Sequence, residues 1–167
     1  MATGQLNYTA KVNITVTNTS LGDGGYRESA GVQNEVNKFM DVVIGGSILV
    51  GVVTADGTIS ILGYASHDGG LTYSGGLVGT DETITWGTTP STSSVEGFNQ
   101  LTHLRTISVD TTDDNNDIEF AGISLAAAFG VVPEDWGIVV LNETGVALHA
   151  TGTNNEIHYA GIKYESV

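Results

Sequence analysis

The chain has 167 residues, a length that suits one domain and allows roughly two-thirds of the unfolded surface to be buried in one core. Nineteen Asp and Glu residues against five Lys and Arg give a formal charge of -14, and such a surface repels phosphate, which argues against nucleic-acid binding as the main activity. The lack of cysteine excludes disulfides, a thiolate nucleophile and Cys-ligated metals, and the 40% apolar content argues against a disordered chain.

Every second residue from Leu6 to Val16 is apolar, and this period of two predicts a strand with one buried face. Eight further strands are predicted in chain order, over residues 38–54, 58–66, 82–86, 101–110, 118–126, 136–143, 146–150 and 156–164. Gly, Asn and Asp gather between these segments, and all three suit turns. The Asp56-Gly57 pair predicts a hairpin between the strands on either side of it.

Helix signals are nearly absent from the sequence. Residues 123–129 fit a short helix or a buried strand running into a loop about equally well, and we predict at most one helical turn there. Trp136 directly precedes an apolar run and is predicted to lie in the core. Many short strands with Gly-rich turns predict an all-β chain: a single antiparallel β-sandwich, jelly-roll-like, over residues 1–167, with residues 1–5 flexible.

The sequence contains no recognised catalytic or phosphate-binding motif. Asp135 and Glu143 have the carboxylate chemistry of a glycosidase pair, but no spacing rule selects them. The acidic run 110–119 is rich in oxygen ligands, yet counted from Asp113 it lacks the Gly and Glu that an EF-hand loop needs, so we interpret it as a solvated loop. We therefore predict a protein that is not an enzyme, with no catalytic, metal-binding or cofactor-binding residue.

Three segments carry a resemblance to a known family. They are GYRES at 25–29 with NKFMD at 37–41, GYASHDGGLTY at 63–73, and WGIVVLNETGVAL at 136–148. Together they resemble small virion structural proteins of tailed bacteriophages, and the likeness spans most of the chain in order. The resemblance implies a β-sandwich that decorates or cements the phage capsid, with a part of the tail or its fibres as the alternative.

The resemblance also implies where the protein acts and what it binds. It implies a homotrimer that binds the major capsid protein or other virion proteins, on the capsid surface rather than the tail. Residues 1–5 lack the basic and apolar segments of a signal peptide, and no stretch reaches the roughly 18 apolar residues that span a bilayer. We therefore expect synthesis in the host cytoplasm and no membrane partner.

Four charged residues are predicted to lie at the contact between subunits. Arg27, Lys38 and Arg105 are rare cations in an acidic chain, and with Glu28 they are predicted to pair with a neighbouring copy. The alternative for each cation is an ion pair within the chain, which contributes at most about 1 kcal/mol. The strand at 6–16 is likewise predicted to lie at a subunit boundary, the alternative being an edge strand within one sandwich.

The second function that the sequence suggests is a carbohydrate-binding tail or adhesion component. The pattern Ser66-x-Asp68-Gly69-x-x-x-Tyr73 resembles the Asp-Gly hairpin of discoidin-like carbohydrate-binding jelly rolls, with one Gly inserted and Tyr where Trp is usual. Aromatic faces with a polar edge suit sugars. Trp86, Asp68 and Tyr73 are therefore the predicted ligand contacts.

Overall fold

The computed structural model describes residues 4–84, 98–151 and 155–166. The described residues form the strands β1 Gly4–Tyr8, β2 Val12–Asn13, β3 Tyr26–Glu28, β4 Val32–Gln33, β5 Asp41–Leu49, β6 Gly57–Ser66, β7 Glu82–Ile84, β8 Thr102–Val109, β9 Asp117–Ser124, β10 Asp135–Glu143 and β11 Glu156–Ser166. A 3₁₀ turn at Ser74–Gly76 and one short helix, α1 Leu125–Phe129, are the other described elements.

The strands form two antiparallel sheets. Sheet A has the order β1-β11-β5-β9, with β2 also paired to β11. Sheet B has the order β7-β3-β10-β6-β8, with β4 also paired to β10. The two sheets face each other, and the predicted all-β sandwich is thereby confirmed.

The main core lies between the two sheets. It takes alternate residues from the inner face of each, such as Ile44 and Ile48 from β5 and Ile61 and Ile138 from sheet B, all fully buried. Trp136 is also fully buried, as predicted, and its indole packs edge-on against Tyr159 with 5.2 Å between ring centroids. Burial of this apolar surface is the main stabilising term for the fold.

A second apolar cluster covers the outer face of sheet B. Leu62, Tyr64 and Val139 point away from the main core and pack under Leu77 from the segment that follows the 3₁₀ turn. The Tyr64 hydroxyl donates to the Ser29 carbonyl at 2.6 Å. Gly137 makes room for this ring, because a Cβ at Gly137 would lie 2.2 Å from the Tyr64 ring. Sheet B is therefore covered on both faces.

Two sequence predictions about strands are wrong. β5 and β6 belong to different sheets, so the chain around Asp56 crosses between sheets and does not form a hairpin. Residues 146–150 are not a strand: the Val146 carbonyl accepts from the side chains of Asn142 and Thr144, at 2.7 and 3.0 Å. Isolated backbone hydrogen bonds from Leu148 and the residue after it tie this segment to the core instead.

The N-terminal segment is also not the continuous strand that was predicted. β1 and β2 both pair with β11, but Tyr8 lies opposite Ile162 whereas Val12 lies opposite Tyr159. Four steps along the N-terminal segment thus match three along β11. One extra residue reverses which face the following side chains take, so β1 and β2 present their apolar residues to opposite faces of sheet A.

The ambiguous segment 123–129 forms the helix α1. Ser124 caps its start, because the Ser124 hydroxyl accepts a hydrogen bond from the Ala127 amide, and Gly130 with φ 84° ends it. Its five residues are slightly more than the single turn that was predicted. No helix in the described part of the chain is long and apolar enough to cross a membrane.

Candidate functional site

Asp68 shapes the loop that follows β6. Its carboxylate accepts hydrogen bonds from the Ser66 hydroxyl at 2.6 Å, from the amides of Leu71 and Thr72 at 3.1 and 2.9 Å, and from the Thr72 hydroxyl. The hydrogen bonds from Ser66 and Thr72 lower the pKa of Asp68 to about 2. The acceptors of this predicted ligand residue are thus already used by the loop itself.

Tyr73 lies at the end of the same loop and is half-buried. Its ring packs edge-on against Tyr64 with 5.2 Å between centroids. Glycines surround the phenol: a Cβ at Gly31, Gly70 or Gly79 would lie 2.6 to 2.9 Å from an atom of the Tyr73 hydroxyl or ring. Small residues at these positions let the aromatic ring enter the wall of a cleft.

This cleft, which Tyr73 helps to line, has a volume of about 530 Å³. Its described lining comes from β2, from the segment around β4, from the Asp68 loop and from the start of β10. The lining includes Asn13, Gln33, Tyr73, Asp135 and Tyr159. Strands distant in sequence are therefore needed to build it.

Among the described residues that line the cleft, Asp135 has the one acidic side chain. It is 2% exposed, and its carboxyl carbon lies 3.6 Å from the position that a Cβ on Gly70 would take. Burial raises the pKa of Asp135, and the negative charges of Glu35, Glu134 and Asp68 raise it further. Sequence reasoning had no rule that selected this residue, since only its burial in the assembled cleft distinguishes it.

Asp135 and Glu143 do not form a glycosidase pair. They stand at the two ends of β10, about 26 Å apart at roughly 3.3 Å per residue. Paired glycosidase carboxylates lie within about 10 Å of each other. Trp86, the third predicted ligand contact, lies outside the described residues, and a role in sugar binding stays a prediction for Trp86, Asp68 and Tyr73.

Arg27 forms an ion pair within the chain. Its Nε lies 2.7 Å from Asp81 Oδ1, and its guanidinium also donates to the Asp81 carbonyl at 2.6 Å and to the Thr83 hydroxyl at 3.1 Å. Burial acts to raise the pKa of Asp81, but the hydrogen bonds from Arg27 and Thr17 outweigh it, and the pKa lies below its usual value. This is the alternative that the sequence left open for Arg27.

Glu28 is buried, at 1% exposure, although it was predicted to contact a neighbouring subunit. The Val78 amide donates to its carboxyl at 3.3 Å. Burial, opposed by the Val78 amide and assisted by the charge of Glu82, raises the pKa of Glu28 from 4.5 to about 7. In this conformation the side chain offers no surface to a partner, because β3 places it under β7 and the segment before it.

Lys38 and Arg105 are exposed, as a role at an interface requires. Lys38 lies in the turn before β5 with φ 51°, and Arg105 lies on β8, an edge strand of sheet B. Neither forms an ion pair with another described residue. Their predicted contacts with a neighbouring subunit stay predictions.

The outer face of sheet A carries exposed apolar side chains at one edge. Leu6 and Tyr8 on β1 are 62% and 70% exposed, and Tyr164, which lies opposite Leu6 on β11, is 62% exposed. Ile162 lies opposite Tyr8 and is half-buried. We call these four residues the β1 patch.

The acidic run 110–119 forms a loop that is held by its own hydrogen bonds. Asp110 accepts from the Thr112 amide and hydroxyl at 2.7 and 2.6 Å, and Asp113 accepts from the Asp110 amide at 2.9 Å. Within the described ranges, no three His, Asp or Glu residues are grouped closely enough to hold a metal ion.

No protein-family model, curated protein or solved structure matches this chain. The likeness to phage virion proteins therefore stays an expectation that rests on the three sequence segments.

Proposed function

We propose that the chain is a non-enzymatic structural protein of a phage virion, a capsid decoration protein that self-associates and coats or cements the head. The virion role rests on the resemblance of the three segments. Self-association rests on one observation, the uncharged and apolar edge that β1 gives to sheet A.

Edge strands of proteins that stay monomeric are usually protected by charge, proline or a bulge. β1 contains neither a charged residue nor a proline. The other terminal strands of the two sheets carry charge: Glu82 in β7, Arg105 in β8, and Asp117 and Glu119 in β9. β1 is thus the least protected of these four edges.

An edge strand without charged residues suits contact between copies of an acidic chain. Two chains with a formal charge of -14 each repel one another, and this repulsion keeps free subunits apart at a distance. At the β1 patch no like charges have to be brought together, and Leu6, Tyr8 and Tyr164 offer apolar surface to bury. A partner strand would also satisfy the free backbone groups of β1.

The resemblance implies a homotrimer, and such a ring requires a contact between two different surfaces of neighbouring copies. In that arrangement the β1 patch of one copy packs on a second surface of the next. A contact of β1 with β1 around a twofold axis gives a dimer instead. The mass of the assembly distinguishes the two.

The experiment compares the wild-type chain with the double variant Leu6→Glu, Tyr8→Glu by sedimentation over a range of concentrations. We expect the wild type to associate and the variant to stay monomeric with an unchanged circular dichroism spectrum, because both side chains are exposed. The matched control is Val52→Glu, Val131→Glu, at residues 58% and 62% exposed elsewhere, which should associate as the wild type does. A monomeric wild type, or a double variant that still associates, would refute self-association through β1.

Point substitutions are sharper here than removal of residues 1–16. Such a deletion would also remove Ile14, a core residue at 4% exposure, so loss of fold and loss of assembly would be confused. The virion role is tested separately by quantitative mass spectrometry of purified particles. Hundreds of copies per particle support a coat and a handful support a tail part, whereas absence of the chain would overturn the virion role.

A further inference from the structure

The cleft contains a buried carboxyl group that the proposed function does not use. Asp135 is 2% exposed, and its carboxyl group takes part in no ion pair or side-chain hydrogen bond of the described residues. Burying a carboxylate without a partner is costly, so buried charges in folded proteins are normally paired. An unpaired carboxyl group that faces a cleft of about 530 Å³ indicates that a ligand supplies the missing partner.

The walls of the cleft favour a cation. Half-buried Tyr73 and buried Tyr159 contribute aromatic rings, whose faces attract cations. The exposed side chains of Asn13, Gln33 and Asn37 belong to the lining and offer amide oxygens to N–H donors. The lining therefore combines one buried carboxyl group with exposed amide groups.

The surrounding charges select the sign of the ligand. Glu35, Glu134 and Asp68 all act on Asp135 through negative charge. A neutral sugar would leave this repulsion uncompensated, whereas a cation relieves it. A divalent metal ion is less favoured, because the described lining supplies a single carboxylate and no three His, Asp or Glu side chains of the described residues lie close enough together to hold a metal ion.

We propose that this cleft binds a guanidinium group, the side chain of an arginine from a partner protein, with Asp135 as its counter-ion. A guanidinium is planar, pairs with a carboxylate through two parallel hydrogen bonds and stacks on aromatic rings, which matches Asp135, Tyr73 and Tyr159. The site does not involve the β1 patch, so the test of arginine binding and the test of association through β1 can give opposite results.

The arginine can come from a second copy of this chain or from another protein. The chain has two arginines: Arg27 is bound to Asp81, whereas Arg105 is exposed on β8. Arg105 is therefore the residue that a second copy would supply. A different virion protein would supply an arginine of its own.

The test measures binding of N-acetyl-arginine methylamide by nuclear magnetic resonance titration, with the citrulline analogue as its neutral isostere. We expect the arginine probe to shift the signals of Gly70 and Tyr73, and the citrulline analogue to bind at least tenfold more weakly. Asp135→Asn should weaken arginine binding at least tenfold, whereas the control Asp56→Asn, at an exposed residue outside the cleft, should leave it unchanged.

Equal binding of the two probes, or arginine binding that survives Asp135→Asn, would overturn the proposal, and so would saturable binding of a neutral sugar from a glycan array at this site. If Asp135→Asn does not fold, Gln33→Lys gives the same test, because a fixed cation at an exposed position of the lining should repel the probe and weaken its binding at least tenfold. Absence of any effect in that folded variant would count against the site.

Measurements of self-association distinguish the two sources of the arginine. If a second copy supplies it, Arg105→Gln and Asp135→Asn should each weaken association, and a saturating concentration of the arginine probe should weaken it too. If the probe binds at Asp135 but association is unchanged in both variants, the arginine comes from a different protein.

Discussion

Substitution of Glu28 by Gln should change how the stability of the fold depends on pH. Glu28 is buried at the β3–β7 junction, and its pKa rises from 4.5 to about 7. At a pH between 4.5 and about 7, Glu28 has lost its proton in the unfolded chain but still holds it in the folded chain. The free energy of unfolding therefore falls as the pH rises from 4.5 to 7, and the loss is complete above the folded pKa.

The size of this effect follows from the pKa difference. A shift from 4.5 to about 7, at about 1.36 kcal/mol per pKa unit, sets an upper limit of about 3 kcal/mol. Glu82 is exposed, and solvent screens part of its charge repulsion with Glu28. We therefore expect the free energy of unfolding to change by about 2 kcal/mol. Glutamine keeps an acceptor for the Val78 amide but has no proton to lose, so this contribution to the pH dependence should vanish in Glu28→Gln.

The assay is urea unfolding followed by circular dichroism from pH 4.5 to pH 8 at constant ionic strength. The quantity to compare is the stability of Glu28→Gln minus that of the wild type, which cancels the titration of groups such as His158. This difference should grow by about 2 kcal/mol in favour of the variant. Glu119→Gln, at an exposed residue of β9, is the control and should stay within about 0.5 kcal/mol of the wild type throughout. Parallel stability curves for Glu28→Gln and the wild type would refute the reasoning.

Two further substitutions test the hydrogen bonds that hold the site. Tyr64→Phe removes the buried donor to the Ser29 carbonyl, and it should cost about 1 to 3 kcal/mol in urea unfolding; a cost near zero would mean that another donor replaces it. Asp68→Asn removes a carboxyl group whose pKa is lowered to about 2, so it should remove stability that the wild type has above pH 4 and loses as the pH falls through 2. Thermal unfolding between pH 2 and pH 5 measures this, and a wild-type curve no steeper than that of Asp68→Asn would contradict it.

The cleft shows why sequence reasoning reached only part of the candidate site. Asp68 and Tyr73 could be selected because they lie five residues apart in one Gly-rich loop. Asp135 could not, since it approaches Gly70 only when β10 and the Asp68 loop meet in sheet B. The same holds for Glu28, whose short strand β3 gave no periodic signal and whose burial depends on β7 and Val78.

The sequence by itself determined the β content, the positions of most long strands and the burial of Trp136, because alternation and turn residues act over a few neighbours along the chain. Only the tertiary structure decided which strands share a sheet. β5 and β6 flank a favourable Asp-Gly turn, yet each pairs with a strand distant in sequence, β5 with β11 and β6 with β10. Likewise, the alternation from Leu6 to Val16 predicted one buried face, but the pairing with β11 inserts one residue and turns Leu6 and Tyr8 outward. Pairing between distant strands sets the register, and the register decides which apolar residues enter the core and which stay on the surface.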